Sequence, residues 1–277
     1  MKEKIICKKC GQPYDKDLGV CPYCEEVNPL YKNNLDKPKD IVLNNENLTI
    51  LSNIKHLGLF LIGFLGLYIV TLVVSIILIA INDLNYLSTN DGLALATLLS
   101  YRALFVILIL FLFKDNIKII EKLKDYRAFQ KGLVFGAILI AFSTTYNLFL
   151  ASINIATSDN QVEVTNVVLS YPLFSLIVLG ILGPICEEFT YRLGLYTVIR
   201  KKYKYLAIIV TSVFFGLLHF NFLVSSVNDL IRELLNLPSY ILSGFILVYA
   251  YEKGGIVSSM TAHILNNVLG VYYILIS

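Results

Sequence analysis

The sequence predicts an all-α, multi-spanning membrane bundle of about seven transmembrane helices, preceded by a small cysteine-rich ribbon domain. Three observations carry this. The chain of 277 residues is 56% hydrophobic and only 16% charged, whereas about a quarter of a soluble domain is charged. After about residue 56 the apolar residues gather into runs of about 18 or more, the length a helix needs to cross ~30 Å of hydrocarbon. The first 55 residues are polar and hold four of the five cysteines.

The head comes first. It reads MKEKIICKKCGQPYDKDLGVCPYC and contains no apolar core of signal-peptide length, so it is expected to stay in the mature protein. Cys7 and Cys10, then Cys21 and Cys24, form two CxxC pairs separated by ten residues. Four thiolates so spaced can close a tetrahedral Zn²⁺ site, and Gly11 stands where a positive φ is convenient. Residues 1–26 are read as a zinc ribbon whose closed four-sulfur shell makes the metal structural. Paired disulfides are the rival, disfavoured in the reducing compartment where the charge pattern below puts this segment. Residues 27–50, rich in Asn, Asp, Lys and Pro, read as a flexible linker.

Residues 51–277 form the membrane domain. Apolar runs fall near residues 56–81, 92–113, 132–156, 167–199, 204–220, 238–252 and 256–276. The fourth is too long for a perpendicular crossing and carries Pro184, which predicts a tilt, a kink or an interfacial continuation. The sequence leaves open a further helix inside 221–237. Lys and Arg number nine in residues 1–55, none in 82–91, six in 114–131, none in 157–166 and four in 200–204. Cytoplasmic loops retain positive charge, so the pattern predicts a multi-pass protein of the cell membrane with its N-terminus in the cytoplasm. No basic stripe with interleaved aromatics points to nucleic acid. No internal repeat supports a transporter built from duplicated halves.

Several spans carry residues that hydrocarbon rejects: Glu187, Glu188 and Arg192 in GPICEEFTYRLG, His219 in FFGLLHF, and His263 with Asn267 in SSMTAHILNN. Each ionisable group costs about 2.5–3.5 kcal/mol on insertion scales. Counted from the cytoplasmic ends, Glu187, His219, His263 and Asn267 lie at about 20, 22, 12 and 18 Å, one broad layer, which Arg102 joins at about 18 Å. Residues four apart share a helix face, so Glu188 sits over Arg192, His263 over Asn267 and Phe215 over His219, while Glu187 points about 100° away from Glu188. Arg192 can thus neutralise Glu188 and leave Glu187 facing a cavity with the two histidines and Asn267. A carboxylate that takes a proton from water, an imidazole that holds the water or a metal, and an N–H that meets a developing oxyanion suffice for peptide hydrolysis. The bland alternatives are a structural ion pair for Glu188 and Arg192 and interhelical hydrogen bonding for His219, His263 and Asn267. Cys186 reads as a small core residue, His56 as an interfacial side chain, and Arg102 as the partner of a carboxylate in the layer or of an acidic group on a substrate.

These residues resemble the CPBP intramembrane proteases, also called the CAAX protease and Abi family. The family's EExxxR, FxxxH and HxxxN motifs stand here in order as Glu187-Glu188-Phe-Thr-Tyr-Arg192, Phe215-Gly-Leu-Leu-His219 and His263-Ile-Leu-Asn-Asn267. The resemblance covers roughly residues 130–277 and excludes the ribbon. It implies an intramembrane endopeptidase with Glu187 as the carboxylate that activates water, His219, His263 and Asn267 in the same site, and Glu188 and Arg192 in support. It leaves open whether a second, catalytic Zn²⁺ takes part. The implied substrate is a membrane-associated peptide or protein among membrane lipid, as in peptide maturation or bacteriocin self-immunity. The competing reading is a non-catalytic membrane scaffold or receptor whose ribbon recruits a cytoplasmic protein.

Overall fold

The computed structural model describes residues 4–16, 18–29 and 50–277, apart from the side chains of 116–118. The chain divides into two compact units, residues 1–42 and 43–277. Most of the linker read at 27–50 lies outside the described residues.

In the first unit, β1 (Lys4–Ile6) pairs antiparallel with β2 (Pro13–Asp15), placing Ile5 opposite Tyr14. Val20 bridges to Val27 in the same way. Between the arms of each pair lies one CxxC turn.

The second unit is helical: α1 (Asn53–Ile81), α2 (Asn90–Phe111), α3 (Asn116–Leu123), α4 (Tyr126–Ser152), α5 (Asp159–Ser170), α6 (Pro172–Arg200), α7 (Lys204–Leu217) and α8 (Val227–Ile276). Five of these, α1, α2, α4, α6 and α8, are long and apolar enough to cross a membrane, and α7 is a shorter apolar helix. The last two apolar runs are both inside α8, which is broken at Gly255, where φ is 68° and ψ −163°. The chain reverses there. Tyr146 donates to the Leu235 carbonyl and Phe135 stacks edge-on with Tyr249, so the first arm (227–254) runs antiparallel to α4. Gly132 meets Ser258 and Thr261, and Gly136 meets Ala262 and Leu265, so the second arm (256–276) runs parallel to it. The helix left open at 221–237 exists from Val227 onward, as the start of the first arm.

The long fourth run divides at Tyr171, whose φ of −136° leaves the helix just before Pro172, so the break is not at Pro184. Pro184 sits inside α6, immediately after a π-helical stretch, Val178–Leu182. A π-turn bonds each N–H to the carbonyl five residues back. Pro184 has no N–H to give to the Leu179 carbonyl, and the Asn267 amide of α8 donates there instead, at 3.2 Å. A second π-helical stretch, Glu188–Tyr196, carries the charged part of the first motif.

Helix α6 is the buried centre of the bundle, and close approach explains how α1 reaches it. A Cβ at Gly63 would fall on the Thr190 side chain, and one at Gly194 would press on the Phe60 backbone. Small residues at such crossings let helices pack where no hydrophobic driving force exists between them. His56, expected at an interface, is fully buried, and its Nδ1 lies 2.6 Å from the Leu193 carbonyl of α6. Cys186 is buried, as read.

Candidate active site

The three motifs converge. Glu188, on the π-helical stretch, is fully buried; its Oε1 lies 3.2 Å from Arg192 Nη1 and 2.9 Å from His263 Nδ1. Glu187, half-buried, faces the other side of that imidazole, with Oε2 3.7 Å from His263 Nε2. The two adjacent carboxylates therefore address opposite nitrogens of a single ring. Arg192 pairs with Glu188, as one-helix geometry predicts, and His263 of α8 adds a hydrogen bond to the same oxygen.

That arrangement fixes the tautomer. A carboxylate paired to arginine accepts, so Nδ1 of His263 carries a hydrogen, and in the neutral ring Nε2 then offers a lone pair toward Glu187. At 3.7 Å the two are too far apart for a direct hydrogen bond. Glu187 Oε2 is itself buried without a hydrogen-bond partner among the described residues. A proton-bearing or positive species between them satisfies both.

His219, just past the end of α7, bonds through Nδ1 to the Phe215 carbonyl at 2.8 Å. A carbonyl only accepts, so this ring too donates from Nδ1 and presents the lone pair of Nε2. Its plane stacks on Tyr240 of α8, with centroids 4.7 Å apart and 13° between planes. The Tyr240 hydroxyl is held by Ser158 at 2.8 Å and Asn160 at 3.3 Å.

Phe215 joins the motifs. The Arg192 guanidinium lies over its ring at 4.5 Å, and its centroid is 4.8 Å from that of His219 and 5.9 Å from that of His263. Asn267 lies one turn beyond His263, holds the Leu179 carbonyl with its amide and accepts from Asn266 at 3.2 Å. Tyr101 of α2, which sequence reasoning missed, brings its hydroxyl to 3.5 Å from Glu187 Oε1; a phenol in an apolar run was the available signal. Arg102 makes no ion pair among the described residues and is exposed on the α1–α2 face.

Two further polar clusters were not read from the sequence. Buried Glu252 receives Arg200 Nε at 2.9 Å, Lys204 at 3.5 Å and the Tyr196 hydroxyl at 2.5 Å, tying α6 and α7 to α8 near its reversal. At the start of α8, Arg232 pairs with Asp159, while buried Glu233 accepts the Asp159 and Asn221 backbone N–H groups at 2.8 and 3.3 Å. That cluster fixes the segment carrying Ser158 and Asn160, and through them Tyr240.

In the ribbon, Cys7 Sγ lies 3.4 Å from Cys24 Sγ and Cys10 Sγ 3.6 Å from Cys21 Sγ, and all four sulfurs fall within 4.8 Å of one another. The thiols are free, and a disulfide would need about 2.0 Å. A tetrahedron with Zn–S of about 2.3 Å has edges of ~3.8 Å, so the donor set fits a metal ion. The two turns are alike: Gly11 N–H bonds the Cys7 carbonyl with φ 73°, and Glu25 N–H bonds the Cys21 carbonyl with φ 60°. No other group of three His, Cys, Asp or Glu approaches this closely among the described residues.

Comparison with known proteins bears out the resemblance. Residues 169–269 match the family model described as Type II CAAX prenyl endopeptidase Rce1-like, the stretch that carries all three motifs. A protein of Mycoplasma capricolum subsp. capricolum, described as uncharacterized, is 28% identical over 191 residues, covering 62% of this chain and 53% of the relative. The chain thus spans about half the length of that relative. No solved structure matches.

Proposed function

We propose that the membrane unit is an intramembrane endopeptidase in which Glu187 activates the attacking water. The observation that carries this is the placement of Glu187 and Glu188 on opposite nitrogens of His263. A water donating one hydrogen to Glu187 Oε2 and one to His263 Nε2 is polarised at the point where Glu187 can take its proton. Its oxygen attacks the peptide carbonyl carbon, and the electron pair of the C=O bond moves to the oxygen. Collapse of that intermediate breaks the C–N bond, and Glu187 returns its proton to the departing amine. With both imidazoles donating from Nδ1 and the Tyr101 hydroxyl donating to Glu187, the neutral donor left for the oxyanion is the second amide hydrogen of Asn267. Glu188 and Arg192 orient His263 in the way a carboxylate orients a catalytic or metal-binding histidine.

The Nε2 lone pairs of His219 and His263 are the ligands a metal would take here, and with Glu187 they would have to draw closer than they stand, since the four cysteines are the one metal-spaced group among the described residues. A metal held there would polarise the carbonyl or lower the pKa of water, and the same residues would be its ligands. The match to the prenyl endopeptidase family supports a membrane-associated peptide or protein substrate. The ribbon is proposed to hold a structural Zn²⁺ through Cys7, Cys10, Cys21 and Cys24, on the cytoplasmic side assigned by the charge pattern.

The test is a peptide-library cleavage assay and metal analysis of detergent-purified protein in three forms: wild type, Cys7→Ser with Cys10→Ser, and His219→Ala with His263→Ala. Two metal equivalents, one lost with cleavage in the histidine variant, assign a metalloenzyme. One equivalent, confined to the ribbon, with cleavage that still needs the histidines, assigns Glu187 acting on metal-free water. Absence of cleavage in folded wild type discards the protease in favour of a scaffold that recruits a partner through its ribbon.

A further inference from the structure

Arg102 sits in the middle of α2, about 18 Å from Asn90, and lines a cavity of about 490 Å³ between α1 and α2. The walls are apolar: Val74, Ile77 and Leu78 from α1, Leu99 and Val106 from α2. Among the described residues no carboxylate pairs with the guanidinium. Outside the site already described, this is a cation in a hydrocarbon-facing groove with no protein counter-charge among the described residues, a placement that hydrocarbon penalises.

The groove has a direction. Helical side chains lean toward the N-terminus of their helix, so Arg102 points toward Asn90, and its long stem lets the head group rise to the interface. Val74–Leu78 lie only about 5–11 Å from the Ile81 end of α1. Counted from the Ile81–Asn90 hairpin, Ile77, Leu78 and Leu99 come first, Arg102 next, and Val106 and Ile107 deepest, so the guanidinium rises toward the hairpin side with apolar wall below it.

An apolar slot that carries one cation part-way along it, with apolar wall continuing on the deep side, matches an amphiphile that carries an anion on an aliphatic tail. We propose that this groove is a binding site for an anionic phospholipid, with its phosphodiester on Arg102 and one acyl chain running deeper along Ala103, Val106 and Ile107. The site is separate from Glu187 and His263 and does not depend on the protease reading.

The chain contains no tryptophan, so Ile107→Trp supplies a single reporter beside the groove. The protein is reconstituted in bilayers doped with brominated phosphatidylglycerol or brominated phosphatidylcholine, and quenching is measured. Brominated phosphatidylglycerol is expected to quench at about five-fold lower mole fraction, the preference that roughly one basic residue gives for anionic lipid. That preference should vanish in Arg102→Gln, persist in Arg102→Lys, and fall with rising salt in the Arg102 protein itself, an arm that needs no further variant. Equal quenching by the two lipids, or a preference that survives Arg102→Gln in folded protein, overturns the proposal. Loss of quenching by both lipids as protein density rises assigns the groove to a second copy of the chain and overturns it as well.

Discussion

Glu188 meets His263 at 2.9 Å while Arg192, one turn along the same helix, meets the same carboxylate oxygen at 3.2 Å. The residue is thus the joint between the first and third motifs, and it separates two variants that differ by one position. Glu188→Gln leaves the Arg192 charge buried without its counter-ion, and removing one member of such a pair costs about 3–5 kcal/mol. Its unfolding midpoint in detergent should drop sharply. Glu187→Gln, half-buried and held by a 3.5 Å contact, should unfold like wild type yet lose about 10²- to 10⁴-fold in turnover. A stable, fully active Glu187→Gln protein would falsify the role given to that carboxylate.

Phe215 is expected to matter through Arg192 rather than through chemistry. Phe215→Leu keeps apolar volume but loses the guanidinium contact at 4.5 Å and the ring contacts to both histidines. The loss should be about 1–2 kcal/mol of stability, with Phe215→Ala nearer 3–5 kcal/mol. Denaturant titration of the two variants checks the order.

Tyr240 offers a finer separation. Tyr240→Phe keeps the ring on His219 but releases Ser158 and Asn160, whereas Tyr240→Ala removes the stack. If the stack orients His219, Tyr240→Phe should retain most of kcat and Tyr240→Ala should lose it with KM little changed. Equal kcat in the two variants contradicts this.

The ribbon should release its metal on acidification. The backbone N–H of Cys10, and then that of Lys9, hold the Cys7 thiol down to about 6, while burial pushes the Cys24 thiol up to about 12. Metal binds thiolate, so protons compete. A thiol lowered in the folded state favours folding above its unfolded value and loses that contribution as pH falls through its folded value. Cys24 is the thiol that needs the metal to ionise it. A zinc-sensitive dye should therefore register release as pH falls, and Glu25→Gly, which removes a side chain from positive φ, should not hasten it.

Gly255 occupies a backbone region that is essentially glycine's alone. Gly255→Ala should cost about 1–3 kcal/mol and reduce the yield of folded protein in detergent, whereas Gly270→Ala, with open space around it, should be neutral.

The candidate residues were legible in the sequence, the packing only partly so. Two CxxC pairs and three ordered motifs name residues whose types are expensive or pointless elsewhere, so Cys7 to Cys24 and Glu187 to His263 stood out. The seven apolar runs reappear as helices, including the reversal between the last two, because Gly254 and Gly255 follow a charged pair in an otherwise apolar stretch. What stayed hidden depends on contacts between helices. Depth along a span says nothing about rotation, so Arg102 was put with the polar layer although it faces the α1–α2 groove, and His56 was put at an interface although α6 buries it. The π-helical turns have no compositional mark; they show only in the carbonyls that Asn267 and His56 take up. Gly132 and Gly136 on α4 are a GxxxG pair and could have announced the close approach to the second arm of α8.

The reversal at Gly255 also sets an order of events during synthesis. Glu187 and Glu188 emerge from the ribosome some seventy residues ahead of His263, so a chain halted before residue 256 holds two carboxylates in the membrane without the imidazole they share. Arg192 can answer for one of them. The other meets its imidazole only when 256–276 folds back along α4, which makes completion of the bundle and assembly of the proposed site a single step.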